Sequence, residues 1–343
     1  MRSSITLAAE ARSRFATEAN VPIDSIKVAL SLAAYGASLP LPHEFDGYYP
    51  PPYGPKAYVH PPPILTTTNT SGDRKNRNAF DINTNESERA RASESEDLLA
   101  AFHLERLRAY AADEQTWRAV DAIAFETVPL AREVKAIRRA VAALEDELLA
   151  AEESLERKPW WICAVYPGGE IPEERPGGGG GRLGARDVLA AYFDDIPPTA
   201  TATITTTVGI GTHNKGSPPR YAVPDAFGVN CTAMADVASA ITAMSDALAE
   251  KTGVTQGGSE GGERQPWLVL KPNGGQTYDM DTREWGWYGG ETRLQGSEWA
   301  KQLSNVVHSA VARGIWGGIL VGGCCKAGEE ELRMLSNSLG NEV

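Results

Sequence analysis

Two stretches, Ala226-Phe227-Gly228-Val229-Asn230-Cys231 and Leu320-Val321-Gly322-Gly323-Cys324-Cys325, share one pattern in which a short apolar run ends in cysteine. Short apolar runs bounded by turn residues are typical of strands that are buried on both faces of a sheet. The two glycines before Cys324 allow the backbone to approach a ligand closely. Each stretch therefore predicts a buried strand with thiols at its C-terminal end.

Strands and helices alternate along the rest of the chain. Six short apolar runs precede helical patterns: 26–32, 122–125, 160–165, 226–229, 267–270 and 315–321. Apolar residues at helical spacing predict helices over 129–156, 234–251, 298–313 and 329–339. Alternation of this kind predicts a parallel sheet with right-handed crossovers. We expect an α/β fold of the (β/α)8 TIM-barrel type, incomplete because six strands are too few to close such a barrel.

Three segments fall outside this repeat. Residues 61–96 are rich in Thr, Asn, Ser, Arg and Glu with few apolar side chains, which predicts a disordered insertion. Residues 172–182, with five consecutive glycines, and residues 199–220 are predicted to be loop insertions.

Three cysteines are candidates for a metal site. Cys231, Cys324 and Cys325 all follow predicted strands, and the functional residues of such barrels lie at the C-terminal ends of strands. Three thiolates on one face suit a catalytic Zn²⁺, because such a site keeps a fourth position open. Free cysteines also pack as small hydrophobic residues, and we prefer that role for Cys163, which stands alone inside the run 160–165. We therefore expect one zinc ion per chain at the three-cysteine cluster.

Several motifs carry a resemblance to a known family. Read in order, four of them resemble the homocysteine S-methyltransferase family: Ala124-Phe125-Glu126-Thr127-Val128-Pro129, Gly228-Val229-Asn230-Cys231-Thr232, Lys271-Pro272-Asn273-Gly274-Gly275 and Gly322-Gly323-Cys324-Cys325-Lys326. Residues 31–37 and 44–48 are similar to the family's third strand and the loop after it, so the resemblance runs from about Ile26 to Leu339. The family's first two strands, marked by Asp-Gly-Gly and Thr-Tyr-Gln, have no counterpart here. The resemblance implies a single homocysteine-binding barrel domain over residues 1–343, truncated at its N-terminus.

The resemblance also implies a reaction. It is the zinc-dependent transfer of a methyl group from S-methylmethionine or S-adenosylmethionine to the thiol of homocysteine, which gives methionine. Cys231, Cys324 and Cys325 would be the catalytic metal ligands. Glu126 would contact the amino group of the substrate, although it could instead brace the turn before Pro129. Asn230 is the second candidate at the substrate site, where its hydrogen bonds would brace the centre.

Two other functions stay open. Without its first two strands the barrel could be a catalytically impaired or inactive homologue that still binds zinc. Its two unpaired sheet edges would also expose backbone groups. A third possibility is a thiol redox protein that uses Cys324 and Cys325.

Composition excludes other classes of protein. The 343 residues hold 33 Lys and Arg against 45 Asp and Glu, a net charge of −12 with no concentrated basic face, which argues against a nucleic-acid partner. No apolar run approaches the length of a membrane-spanning helix. Four cysteines, two of them adjacent, do not form a disulfide framework, so we expect a reducing compartment, the cytoplasm.

Overall fold

The structure is a computed structural model that describes residues 2–59, 76–83, 85–151, 155–177, 181–194, 219–252, 265–279, 282, 284–287 and 296–340. The strands in these ranges are β1 (Ala29–Ala33), β2 (Ala122–Val128), β3 (Trp160–Ala164), β4 (Ala226–Asn230), β5 (Trp267–Lys271), β6 (Gln276–Tyr278), β7 (Trp285–Trp287) and β8 (Gly318–Val321). The helices are α1 (Arg2–Ala19), α2 (Glu86–Ala111), α3 (Glu114–Ala119), α4 (Ala131–Ala150), α5 (Ala185–Phe193), α6 (Met234–Thr252), α7 (Gly296–Ala312) and α8 (Glu329–Gly340). None of the described helices is long and apolar enough to cross a membrane.

The six predicted strands form one parallel sheet in the order β1-β2-β3-β4-β5-β8. Helices cover its outer face as a continuous row, in which α2 packs on α4, α4 on α5, α5 on α6, α6 on α7 and α7 on α8. Because the apolar side chains of α4 recur at helical spacing, Val134, Ile137 and Val141 all enter the main core under this row. The inner face carries a smaller cluster of Cys163, Ala226 and Val269.

The sheet does not close within the described ranges. There, β1 pairs only with β2, and β8 pairs only with β5. Burial alternates along β1, so that Leu30 and Leu32 face the core while Ser31 and Ala33 are exposed on the inner face. These observations confirm the predicted α/β fold with six parallel strands in an open, barrel-like arrangement. The strands β6 and β7, which the sequence did not predict, form a separate antiparallel pair.

The disordered insertion predicted over 61–96 extends too far toward the C-terminus. Helix α2 begins at Glu86, where the Asn85 side chain accepts a hydrogen bond from the Ser87 amide as an N-cap. Arg91 then forms an ion pair with Glu88 one turn away. A stretch with few apolar residues is therefore helical because capping and charge pairing support its first turns, whereas residues 60–75 lie outside the described ranges.

The two predicted loop insertions are described only in part. Residues 172–177 and 181–182 form a loop with one antiparallel bridge, between Glu174 and Arg182. Of the segment 199–220, residues 199–218 lie outside the described ranges.

Candidate metal centre

Three thiols converge at the C-terminal ends of two strands. Cys231 directly follows β4, and Cys324 and Cys325 lie just after β8. The Sγ atom of Cys231 is 2.6 Å from that of Cys324 and 3.6 Å from that of Cys325. All three sulfur atoms lie within 4.8 Å of one another, close enough for a single zinc ion to contact all three.

The backbone around the cluster is strained. Among the described residues, Asn20, Thr127, Cys231 and Lys326 are the non-glycine residues with positive φ. Cys231 is one of the thiols, Lys326 follows Cys325, and Thr127 is hydrogen-bonded to Asn230, the residue before Cys231. Left-handed conformations are costly for side chains with a Cβ atom, and surrounding contacts must hold them in place. Cys231, with φ of 48°, is therefore held in a left-handed backbone conformation by its surroundings.

The segment Lys271–Gly274 ties the two cysteine loops together. The Cys231 amide donates to the Lys271 carbonyl at 3.1 Å, and the Cys324 amide donates to the Pro272 carbonyl at 2.8 Å. The amide of Gly274 donates to the Cys325 carbonyl at 2.9 Å. A Cβ atom on Gly274 would lie 2.0 Å from the Lys326 carbonyl oxygen, so only glycine allows this approach.

The chemistry of the cluster suits a soft metal ion. Hydrogen bonds from Cys231 and Cys325 lower the pKa of Cys324, whereas the hydrogen bonds that Cys231 makes with Cys324 and Cys325 raise the pKa of Cys231. Three closely packed thiols oppose one another's ionisation, and a divalent cation would let all three ionise. Cys163 is fully buried on β3 and is not part of the cluster, and burial raises its pKa well above the usual range.

Asn230 connects the strained turn of β2 to the thiols. Its Oδ1 atom accepts from the Thr127 amide at 2.7 Å, and its Nδ2 atom donates to the Thr127 hydroxyl at 2.8 Å and lies 3.7 Å from the Cys324 sulfur. The side chain is 1% exposed. These contacts hold Thr127 and the Cys324 sulfur in fixed positions relative to each other.

Glu126 lies inside β2 rather than after it, and it faces the inner side of the sheet. Its Oε1 atom accepts from the Trp161 indole at 2.8 Å and forms an ion pair with the Lys271 ammonium. Burial raises the pKa of Glu126, although Lys271 and Trp161 oppose this rise. No described backbone amide donates to the carboxylate, so these contacts do not support the alternative of turn bracing. The sequence did not predict a role for the Lys271 side chain, because residues 271–275 were notable only as a motif of the family.

A buried network near the site was also missed. Glu133 on α4 is fully buried and accepts three hydrogen bonds: from the Tyr35 amide at 2.6 Å, from His103 Nε2 at 3.0 Å and from the Tyr49 hydroxyl at 2.5 Å. The network ties the loop after β1 to the helix after β2. One signal was available, since Glu133 stands four residues before Ile137 and so shares the buried face of α4.

We expect this network to make the fold sensitive to acid. Burial lowers the pKa of His103, and the hydrogen bonds from His103, Tyr35 and Tyr49 lower the pKa of Glu133 against the opposing effect of burial. The unfolded chain therefore binds more protons than the folded chain once the pH falls below about 6.5, and the free energy of unfolding must fall with it. Replacing His103 by Gln keeps a donor for Glu133 but removes the titration. Urea unfolding between pH 7.5 and 5.5 should show a shallower decline for this variant, and superimposable profiles would contradict the argument.

Comparison with known proteins agrees with this architecture. The family model described as homocysteine S-methyltransferase matches residues 1–178 and 184–339. Among solved structures, the chain is similar to the homocysteine methyltransferase MmuM from Escherichia coli in its metallated form, with 19% identity, a TM-score of 0.50, and coverage of 98% of this chain and 69% of that chain. At this identity the likeness establishes the fold, which is of the TIM-barrel type. The comparison with curated proteins found no match. Because the family model covers nearly the whole chain, this protein belongs to the homocysteine S-methyltransferase family of methyl-transferring enzymes.

Proposed function

We propose that this chain transfers a methyl group from S-methylmethionine or S-adenosylmethionine to the thiol of homocysteine, giving methionine, with zinc held by Cys231, Cys324 and Cys325. The observation that carries the proposal is the convergence of these three sulfur atoms within 4.8 Å, in a chain of this family. The sequence Glu126-Thr127-Val128-Pro129, which resembles the family branch with sulfonium donors, supports the choice of donor.

In this reaction the homocysteine sulfur attacks the methyl carbon of the donor. A new sulfur–carbon bond forms while the bond from that carbon to the donor sulfonium breaks, and its electron pair stays on the donor sulfur. The thiol proton is lost to solvent. A bound zinc ion would supply an open position that keeps the thiol deprotonated at neutral pH, where a free thiol with a pKa of about 8.5 is mostly protonated.

The residues around the thiols have separate roles in this proposal. Glu126 binds the substrate ammonium, because its carboxylate faces the inner side of the sheet and is only 8% exposed. Asn230 positions Thr127 and the Cys324 sulfur, and its engaged amide favours bracing over direct substrate binding. Asn273 supports the loop between the cysteines, since its backbone carbonyl accepts from the Trp299 indole at 2.7 Å.

We further propose that residues 1–343 form a single homocysteine-binding domain. One hydrophobic core includes Ile5 of α1, Phe227 of β4 and Leu335 of α8, so the described elements share one interior. A centre of free thiols is compatible with a reducing compartment, and we keep the cytoplasm as the proposed location.

The test is methyl transfer from a labelled donor. Purified protein loaded with zinc is incubated with homocysteine and methyl-labelled S-methylmethionine or S-adenosylmethionine, and labelled methionine is measured by mass spectrometry. We expect labelled methionine with at least one sulfonium donor and none with labelled betaine. A chelator should abolish the reaction and added zinc should restore it. Turnover that continues undiminished after complete zinc removal would refute the zinc-dependent mechanism.

One observation favours a second candidate, a zinc-binding homologue without turnover. Within the described ranges β1 and β8 remain edge strands, and Ser31 and Ala33 are exposed on the inner face where substrate would lie. One zinc per chain together with no labelled methionine from either donor would favour this candidate.

The redox alternative predicts a different composition. The Cys231 sulfur lies 2.6 Å from that of Cys324 and 3.6 Å from that of Cys325, so a disulfide that includes Cys231 would join it to Cys324 and leave Cys325 aside. A protein purified without zinc, in which thiol titration finds two sulfhydryl groups fewer than after reduction, would support that function instead.

A further inference from the structure

Lys271 lies inside the curved sheet, opposite the strand that carries Glu126. It ends β5, and its ammonium forms an ion pair with Glu126 of β2, although β3 and β4 lie between these strands. The ammonium also lies 5.6 Å from the centroid of the Trp161 ring. The side chains of Lys271 and Glu126 keep 20% and 11% exposure, so the pair is largely desolvated but still reachable from the solvent.

This ion pair has unused hydrogen-bonding capacity. Both described partners of the Glu126 carboxylate, Trp161 and Lys271, contact Oε1, and no described residue donates to Oε2. The Lys271 ammonium has three donors, and Glu126 is its one hydrogen-bond acceptor among the described residues. Each partner could therefore bind a further charged group without giving up the other.

Two fully engaged buried carboxylates, Glu173 and Glu133, give a contrast, because each accepts hydrogen bonds through both of its oxygens. Glu173 accepts from Arg132 through Oε1 and from the Ala131 amide through Oε2, and Glu133 likewise uses both atoms. A desolvated ion pair is weak in stabilising a fold, because the cost of desolvation offsets the attraction. A partly satisfied pair that solvent can reach therefore has the character of a binding site rather than of a structural link.

The pair also lies beside the thiols. Lys271 is paired in the sheet with Asn230, the residue before Cys231, and its carbonyl accepts from the Cys231 amide. Cys324 interacts electrostatically with both Glu126 and Lys271. A small molecule whose sulfur reaches the cluster would thus have its other end next to both charges.

We propose that Lys271 binds the carboxylate of the amino-acid thiol while Glu126 binds its ammonium, so that the two residues together select an α-amino acid. This inference rests on the proposed function and adds the residue that recognises the acid group. An α-amino acid carries a positive and a negative group on one carbon, and the pair offers one complementary charge to each. A thiol that lacks either group leaves one of the two desolvated charges without its new partner.

Three thiols of equal chain length test the assignment by calorimetry on the metal-loaded protein: homocysteine, 3-mercaptopropylamine without the carboxylate, and 4-mercaptobutanoate without the amino group. Replacing Lys271 by Met should lower the affinity for homocysteine and for 4-mercaptobutanoate by about 10- to 100-fold. The affinity for 3-mercaptopropylamine should change by no more than about threefold. Replacing Glu126 by Gln should instead lower the affinity for the two thiols that carry an amino group, homocysteine and 3-mercaptopropylamine. Lys326→Met is the matched control, because Lys326 is exposed beside Cys325 and its ammonium lies over the Trp285 ring. It should change none of the three affinities by more than about twofold.

A variant with both charges removed separates a loss of substrate recognition from a loss of folding. Lys271→Met alone leaves Glu126 without its cation, whereas Glu126→Gln/Lys271→Met has no uncompensated charge and should bind all three thiols with similar affinity. If Lys271→Met or the double variant keeps the parental preference for homocysteine, the assignment is wrong even though the parent binds homocysteine. If the metal-loaded parent binds none of the thiols, the proposed function fails and this inference fails with it.

Discussion

Protein with Cys324 replaced by Ala should purify without stoichiometric zinc, whereas the parent should carry one zinc per chain. The Cys324 sulfur lies 2.6 Å from that of Cys231, and it is the sulfur that Asn230 contacts. Zinc binding to protein sites with four ligands is worth about 10–16 kcal/mol, so the loss of one thiolate should cost about 3 kcal/mol or more, which is over 100-fold in affinity. Metal analysis by mass spectrometry after dialysis measures this directly.

Cys163→Ala is the control for that experiment. Cys163 is a fully buried cysteine on β3, packed with Ala226 and Val269, and it is absent from the three-sulfur cluster. Its removal should leave zinc content unchanged and cost only the modest stability of a small buried side chain. Undiminished zinc in Cys324→Ala, or loss of zinc in Cys163→Ala, would show that the assigned ligand set is wrong.

Replacing Glu133 by Ala should lower the free energy of unfolding by about 3–5 kcal/mol. The change leaves the Tyr35 amide, the Tyr49 hydroxyl and His103 Nε2 without their acceptor in a fully buried position. His103 already lacks a hydrogen-bond partner at Nδ1 among the described residues, so its ring would lose the one hydrogen bond described for it. Urea unfolding at pH 7.5 gives the free energy of unfolding for comparison with the parent.

Glu147→Ala on the same helix is the matched control. Glu147 pairs with Arg108 at the surface, where its side chain is 35% exposed, and such pairs contribute about 1 kcal/mol or less. We expect a shift within that range. If the two variants were equally stable, the Glu133 network would not have the energetic importance that its burial implies.

Much of the fold follows from local patterns. The six apolar runs predicted the six parallel strands, and the helical spacing of Val134, Ile137 and Val141 predicted α4. The start of α2 was missed because the segment before it lacks apolar residues, whereas Asn85 and charge pairing support the helix. Apolar patterns indicate which residues are buried, but they do not reveal a helix that is supported by an N-cap and ion pairs.

The position of the thiols follows from the order of strands and turns along the chain. Cys231, Cys324 and Cys325 each follow a buried strand, and parallel strands place their C-terminal ends on one face, so the cluster follows from topology alone. Two other contacts, of Lys271 with Glu126 and of Glu133 with His103 and Tyr49, depend on how distant elements pack. These residues lie 145, 30 and 84 positions apart in the chain. Their contacts depend on how the sheet curves and how the helices pack against it, because strand periodicity fixes the face on which a side chain lies but not which side chain it meets across that face.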